Sequence, residues 1–70
     1  MTVGQILETI RPRRQHLKIT QSDLAELSGV SLRTIKALEE GQGNPTIELL
    51  LKVLMVLGLT LTTTERIQNG

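Results

Sequence analysis

Between Thr20 and Gly41 the chain sets two short apolar-periodic segments on either side of one glycine, and that spacing leaves little freedom in how it folds. Thr20 with Asp23 three residues on is a capping box, in which hydroxyl and carboxylate each satisfy an amide that the start of a helix leaves without a partner. Leu24, Ala25 and Leu27 then supply one apolar face, which predicts a helix over residues 21–28. Gly29 reaches the left-handed backbone region without steric penalty, so it stops that helix and re-aims the chain. Ser31 caps the next helix, which runs to about Glu40 with Ile35 and Leu38 facing inward. Ala25 is small where the two helices must approach closely, and Val30 and Ile35 lock them together. The second helix therefore presents its N-terminal end outward, with Ser31, Leu32, Arg33 and Lys36 exposed there.

The flanking segments add two further helices. Thr2 and Gln5 form another capping box, followed by Val3, Ile6, Leu7, Ile10 and Leu17 at helical spacing. Pro12 lies inside that span, where it removes a backbone hydrogen bond and crowds the carbonyl of Glu8, a cost of about 3 kcal/mol. The first helix either kinks there or breaks into two pieces. After the turn-rich Gly41 to Pro45, Thr46 caps a last helix that Gly58 ends. At 100° per residue, Ile47, Leu50, Leu54 and Leu57 fall on one side of it and are expected in the core. Glu48 and Lys52 mark the solvent side, yet Met55 lies beside them and Leu49, Val53 and Val56 flank them. That surplus of apolar surface points to a partner, the alternative being a helix buried all round by the first two helices.

Beyond Gly58 the chain changes character. Leu59 to Thr64 begins as an alternation and is rich in β-branched residues, which predicts a strand over residues 59–66, with residues 67–70 a flexible tail. A lone strand has no mate within its own chain, so the expectation is pairing with a second copy, and Leu49, Val53, Met55, Val56, Leu59, Leu61 and Thr63 are the candidate dimer-interface residues. Length argues the same way. A domain of 70 residues is marginal without disulfides, metal or partner, and this one has no cysteine and one histidine, His16.

Composition narrows the function. With no Phe, Tyr or Trp, the chain has no stacking platform for single-stranded or splayed bases, so duplex DNA is the better nucleic-acid target. A net charge of +1 supports nucleic-acid binding only weakly, and the distribution of charge has to carry that argument. No nucleophile elbow, metal spacing or phosphate-cradling glycine loop is present, and Glu39-Glu40 reads as a surface pair, so the chain is expected to be neither an enzyme nor a cofactor protein. No leader and no span of roughly 20 apolar residues is seen, which predicts a cytoplasmic location and no membrane partner.

The stretch from Thr20 through Ser22-Asp23-Leu24-Ala25-Glu26-Leu27-Ser28-Gly29-Val30-Ser31 to Gly41, continued by Asn44-Pro45-Thr46 and the helix to Leu59, resembles the Cro/cI-type helix-turn-helix of the XRE superfamily. The resemblance implies an all-α, compact four-to-five-helix, lambda-repressor-like DNA-binding domain over residues 1–58, with the motif at 20–41. In that motif class the second helix enters the major groove and its first residues reach base edges. Ser31, Leu32, Arg33 and Lys36 are thus the candidate base contacts, with Arg33 suited to guanine and Leu32 to a thymine methyl. Gln21, Thr20, Thr34 and Asn44 are the candidate phosphate contacts, Gln21 because the family commonly clamps the backbone with a glutamine there. Arg11, Arg13, Arg14, His16 and Lys18 form the densest basic run, and it precedes the motif closely enough for part of it to flank DNA.

Within the superfamily, the short chain, the Gly43 to Thr46 loop and the Leu59-Thr60-Leu61-Thr62 segment are most similar to the HipB-like antitoxins. That resemblance implies a homodimer with paired C-terminal strands, which represses its own operon and binds a HipA-like kinase toxin. Alternatives are a stand-alone or phage-type repressor, or a protein-binding adaptor of weak DNA affinity. The chain departs from the family's pattern at Pro12 and at the apolar Leu32.

Overall fold

The computed structural model describes residues 2–60, and these form five helices: α1 (Val3–Leu7), α2 (Ile10–His16), α3 (Gln21–Ser28), α4 (Leu32–Glu39) and α5 (Ile47–Val56). The first expected helix is broken in two ahead of Pro12. Glu8 closes α1 as its C-cap, Thr9 leads into α2, and Pro12 becomes the third residue of α2. There its missing N–H is one that a helix start leaves unbonded in any case, so the proline fits where it would disrupt a continuous helix.

The other punctuation falls where side-chain chemistry places it. Capping boxes are present at Thr2 with Gln5 and at Thr20 with Asp23. Ser31 accepts from the Thr34 amide to start α4, and Thr46 accepts from the Leu49 amide to start α5. Gly29 closes α3 in the left-handed region, with φ of 74°. Lys18 also lies there, with φ of 61°, just past the end of α2.

Leu7 and Ile10 from the first pair of helices meet Leu24 of α3, Val30 of the turn, Ile35 and Leu38 of α4, and Leu50, Val53, Leu54 and Leu57 of α5 in a single apolar core. The helix α3 packs on both α4 and α5, and α2 packs on α4. This core revises the expected face of α5. The buried stripe is Leu50, Val53, Leu54 and Leu57, an i, i+3, i+4, i+7 set. Val53 is 0% exposed and so belongs to the core rather than to a partner surface. Ile47, expected inside, is 67% exposed because it lies on the far flank of that stripe in the first turn of α5.

Leu27 is likewise outside, at 64% exposure. The inward face of α3 runs through Gln21, Leu24, Ala25 and Ser28, the same i, i+3, i+4, i+7 pattern, and Leu27 stands off it. The buried side of this short helix thus includes two polar residues, Gln21 and Ser28.

No strand occurs among the described residues. Gly58 takes the left-handed stop, and the amide of Leu59 turns back to the carbonyl of Leu54 at 2.8 Å. Leu59 is half-buried against the core, so it completes the end of α5 rather than opening a strand. Leu61, Thr63 and the remainder of the expected strand and tail lie outside the described residues. None of the described helices is long and apolar enough to cross a membrane.

Candidate nucleic-acid interface

The α3–turn–α4 unit leaves one face of α4 open to solvent, from the cap Ser31 through Arg33 to Lys36 in the last turn. Ser31, Arg33 and Lys36 are exposed, and Leu32 and Thr34 are half-buried. The Ser31 hydroxyl accepts the Thr34 amide at 3.1 Å and donates to the Thr34 hydroxyl at 2.9 Å, which fixes both side chains at the rim of the helix. Arg33 and Lys36 make no ion pair or hydrogen bond among the described residues. Across a shallow groove from Arg33 and Thr34 lie Gln42, Gly43 and Asn44, so the loop after α4 brings the exposed Asn44 to the same surface.

At the start of α3, Thr20 is exposed and its amide donates to Asp23 at 2.8 Å. That bond, reinforced by the Thr20 hydroxyl, holds the Asp23 carboxyl below its ordinary range. Gln21 is half-buried. Its side-chain amide donates to Glu39 Oε1 at 3.1 Å, so the expected phosphate clamp is anchored to the far end of α4.

Glu39 is the centre that the sequence reading missed, because the pair Glu39-Glu40 was expected on the surface. Glu40 is exposed, but the Glu39 side chain is 0% exposed. The Arg14 guanidinium donates to both its oxygens, Nε at 2.6 Å and Nη2 at 3.0 Å. Arg11 Nε donates to Oε1 at 3.0 Å. Burial by itself raises the Glu39 pKa, but the hydrogen bonds from Arg14, Arg11 and Gln21, with the charge of Arg14, outweigh it and hold the carboxyl below its ordinary range. Its hydrogen bond and charge in turn raise the Arg14 pKa.

The basic run is therefore not one solvated face. Arg14 also donates to the Ile19 carbonyl at 2.9 Å, and Arg13 donates to the Leu57 carbonyl at 2.8 Å, fastening α2 to the end of α5. His16 and Lys18 are exposed. A usable signal was present in the sequence: Gln21 and Glu39 both stand on the inward faces of their helices, where a polar group needs a partner.

A helix-turn-helix family model matches residues 10–63. The chain is 44% identical over its whole length to an uncharacterised HTH-type transcriptional regulator of Haemophilus influenzae, covering 71% of that protein. It is 43% identical over 70% of its length to another uncharacterised HTH-type transcriptional regulator, of Methanothermobacter thermautotrophicus, again covering 71% of the relative. With a turn at Gly29, a capped and outward-facing α4, and a family match that spans both, the chain belongs to the XRE-type helix-turn-helix family of DNA-binding domains.

Proposed function

We propose that the chain is a sequence-specific repressor that binds double-stranded DNA as a homodimer in the cytoplasm. The observation that carries this reading is the open face of α4, where Arg33 beside Ser31 and Leu32, and Lys36 one turn on, stand exposed with no ion pair or hydrogen bond among the described residues. Arg33 suits a bidentate pair with guanine, Lys36 a guanine or a backbone oxygen, and Leu32 a thymine methyl. Thr34 and Asn44 share a groove with Arg33, Thr20 and Gln21 start α3 with Gln21 tied to the other end of α4, and all four suit phosphate oxygens, which fix register without reading sequence.

Support for a dimer comes from α5. Ile47, Leu51 and Met55 recur every four residues and are 67%, 37% and 75% exposed, an apolar stripe on the outer side of the helix. A two-fold pair of such domains reads half-sites about one helical turn apart, or a multiple of it, on one side of the duplex. The narrower role of an autoregulating antitoxin that binds a HipA-like kinase rests on the sequence resemblance over Gly43 to Thr46 and the tail. A pull-down from the native host that returns no kinase-like partner sinks that role and leaves the repressor standing.

Gel-shift titration against the chain's own upstream promoter, at two salt concentrations, tests the main reading. Wild type should bind the promoter more tightly than random DNA, and Arg33→Ala should lose about 1–3 kcal/mol and relax specificity. Equal affinity for promoter and random duplex refutes autoregulation by sequence-specific binding.

A further inference from the structure

The basic run before the motif holds three arginines in three environments. Arg13 is tied to the Leu57 carbonyl, and Arg14, with its side chain 11% exposed, spends its donors on Glu39 and the Ile19 carbonyl. Arg11 differs. Its side chain is 49% exposed and gives only Nε to Glu39, so both terminal amino groups lack a partner among the described residues.

The oxygen that holds Arg11 is the one that holds Gln21: Arg11 Nε at 3.0 Å and Gln21 Nε2 at 3.1 Å both donate to Glu39 Oε1. A charged fork and an amide are thereby fixed side by side on one atom of a wholly buried carboxylate. Two guanidiniums against one carboxylate leave one positive charge in surplus, and with Arg14 covered that charge reaches solvent through Arg11. A guanidinium fork with free amino groups matches the oxygens of a phosphodiester, and restraint before binding reduces the side-chain entropy lost on contact.

We propose that Arg11, held by Glu39, grips a backbone phosphodiester of duplex DNA beside Gln21, with Glu39 acting as a positioning residue. This rests on the duplex-binding reading above. It divides the work of the molecule: α4 reads bases, while a clamp on α2 and α3, fastened to the end of α4 by Glu39, grips the backbone. Because Glu39 is the last residue of α4, the clamp and the reading helix keep a set relation to each other.

The experiment is a salt titration of binding by the full chain to its promoter duplex and to random duplex, comparing wild type, Arg11→Gln, Arg11→Lys and Arg33→Ala. One lost phosphate contact lowers the slope of log affinity against log salt by about 0.9, which at 0.1 M salt is roughly an eightfold weakening. Arg11→Gln should show that drop by the same factor on both duplexes, Arg11→Lys should keep the slope, and Arg33→Ala should weaken the promoter selectively. In a Glu39→Gln background the further change Arg11→Gln should cost less than eightfold, because the fork is already released.

An unchanged slope in Arg11→Gln overturns the proposal while wild-type, salt-sensitive binding leaves the duplex reading intact. Failure of wild type to bind any duplex overturns both. If Arg11→Gln leaves the DNA slope unchanged but abolishes binding of inorganic phosphate to the free chain, the site takes free phosphate and the backbone assignment falls. Arg11→Lys carries the charge without the fork's geometry, so a slope retained there and lost in Arg11→Gln separates phosphate contact from a general loss of fold.

Discussion

Replacing Glu39 by glutamine tests the hub of the structure with little change of shape. Removing one member of a buried ion pair costs about 3–5 kcal/mol, because the other charge is left without compensation. Here glutamine keeps an oxygen able to accept a hydrogen bond, and Arg11 is half exposed and so solvated on its own. The stranded charge is Arg14, with a side chain only 11% exposed. The expected loss is therefore about 2–3 kcal/mol, a large share of the roughly 4–10 kcal/mol available to a domain of this length. In thermal unfolding followed by circular dichroism at neutral pH, that is a fall in Tm of roughly 10–20 °C.

The pH profile supplies the second arm of the assay. Glu39 has its pKa lowered in the folded chain, so it contributes stability that is present above the ordinary value of 4.5 and is lost as pH falls from there through the folded value. Glutamine cannot titrate, so the variant should lose less stability between pH 5 and the acid limit than wild type does. The residual acid dependence should remain with Asp23, whose pKa is lowered in the same direction. A Tm fall of less than about 4 °C with an unaltered acid profile refutes the assignment of Glu39 as a buried, ionised hub.

Three further outcomes follow from particular positions. Val53→Ala should cost about 2 kcal/mol in urea unfolding, whereas Met55→Ala, at a 75% exposed position, should cost less than 0.5 kcal/mol in the monomer; the reverse order refutes the packing of α5 described above. Lys18→Gly should raise stability by about 1 kcal/mol, measured by urea midpoint, since a glycine bears the φ of 61° without strain. Pro12→Ala should not stabilise the chain and should lose roughly 0.4–1 kcal/mol through a freer unfolded state, because the proline already fits the first turn of α2; a gain of 1 kcal/mol or more by the same measurement contradicts that account.

The parts of the fold legible in the sequence are those set by local backbone chemistry. Thr2, Thr20, Ser31 and Thr46 each bond an amide three residues on, and Gly29 and Gly58 each need a positive φ, so every helix start but that of α2 and the two glycine stops could be read residue by residue. The break before Pro12 was readable as one of two outcomes for the same reason. What local chemistry does not set is the rotation of an apolar helix about its own axis. In α5, apolar residues cover most of the circumference, so Ile47 and Val53 were equally plausible core members by periodicity, and only packing against α3 decided between them.

The site divides along the same line. Arg33 and Lys36 could be placed from the motif, because the outward face of a capped helix follows from its start and its periodicity and depends on nothing distant. Glu39 could not, because its role comes from Arg11 and Arg14, which lie 28 and 25 residues away in the chain and arrive through the packing of α2 on α4. A polar residue on the inward stripe of a short helix is the trace such a network leaves in a sequence, and two of them, Gln21 and Glu39, point at each other here. Burial explains why the signal is worth seeking: an unpartnered carboxylate on that face would be protonated or would unfold the chain, so its presence requires donors from elsewhere. The densest cationic segment of a helical domain is then the first place to look for them, and the cations left over after that pairing are the ones available to a ligand.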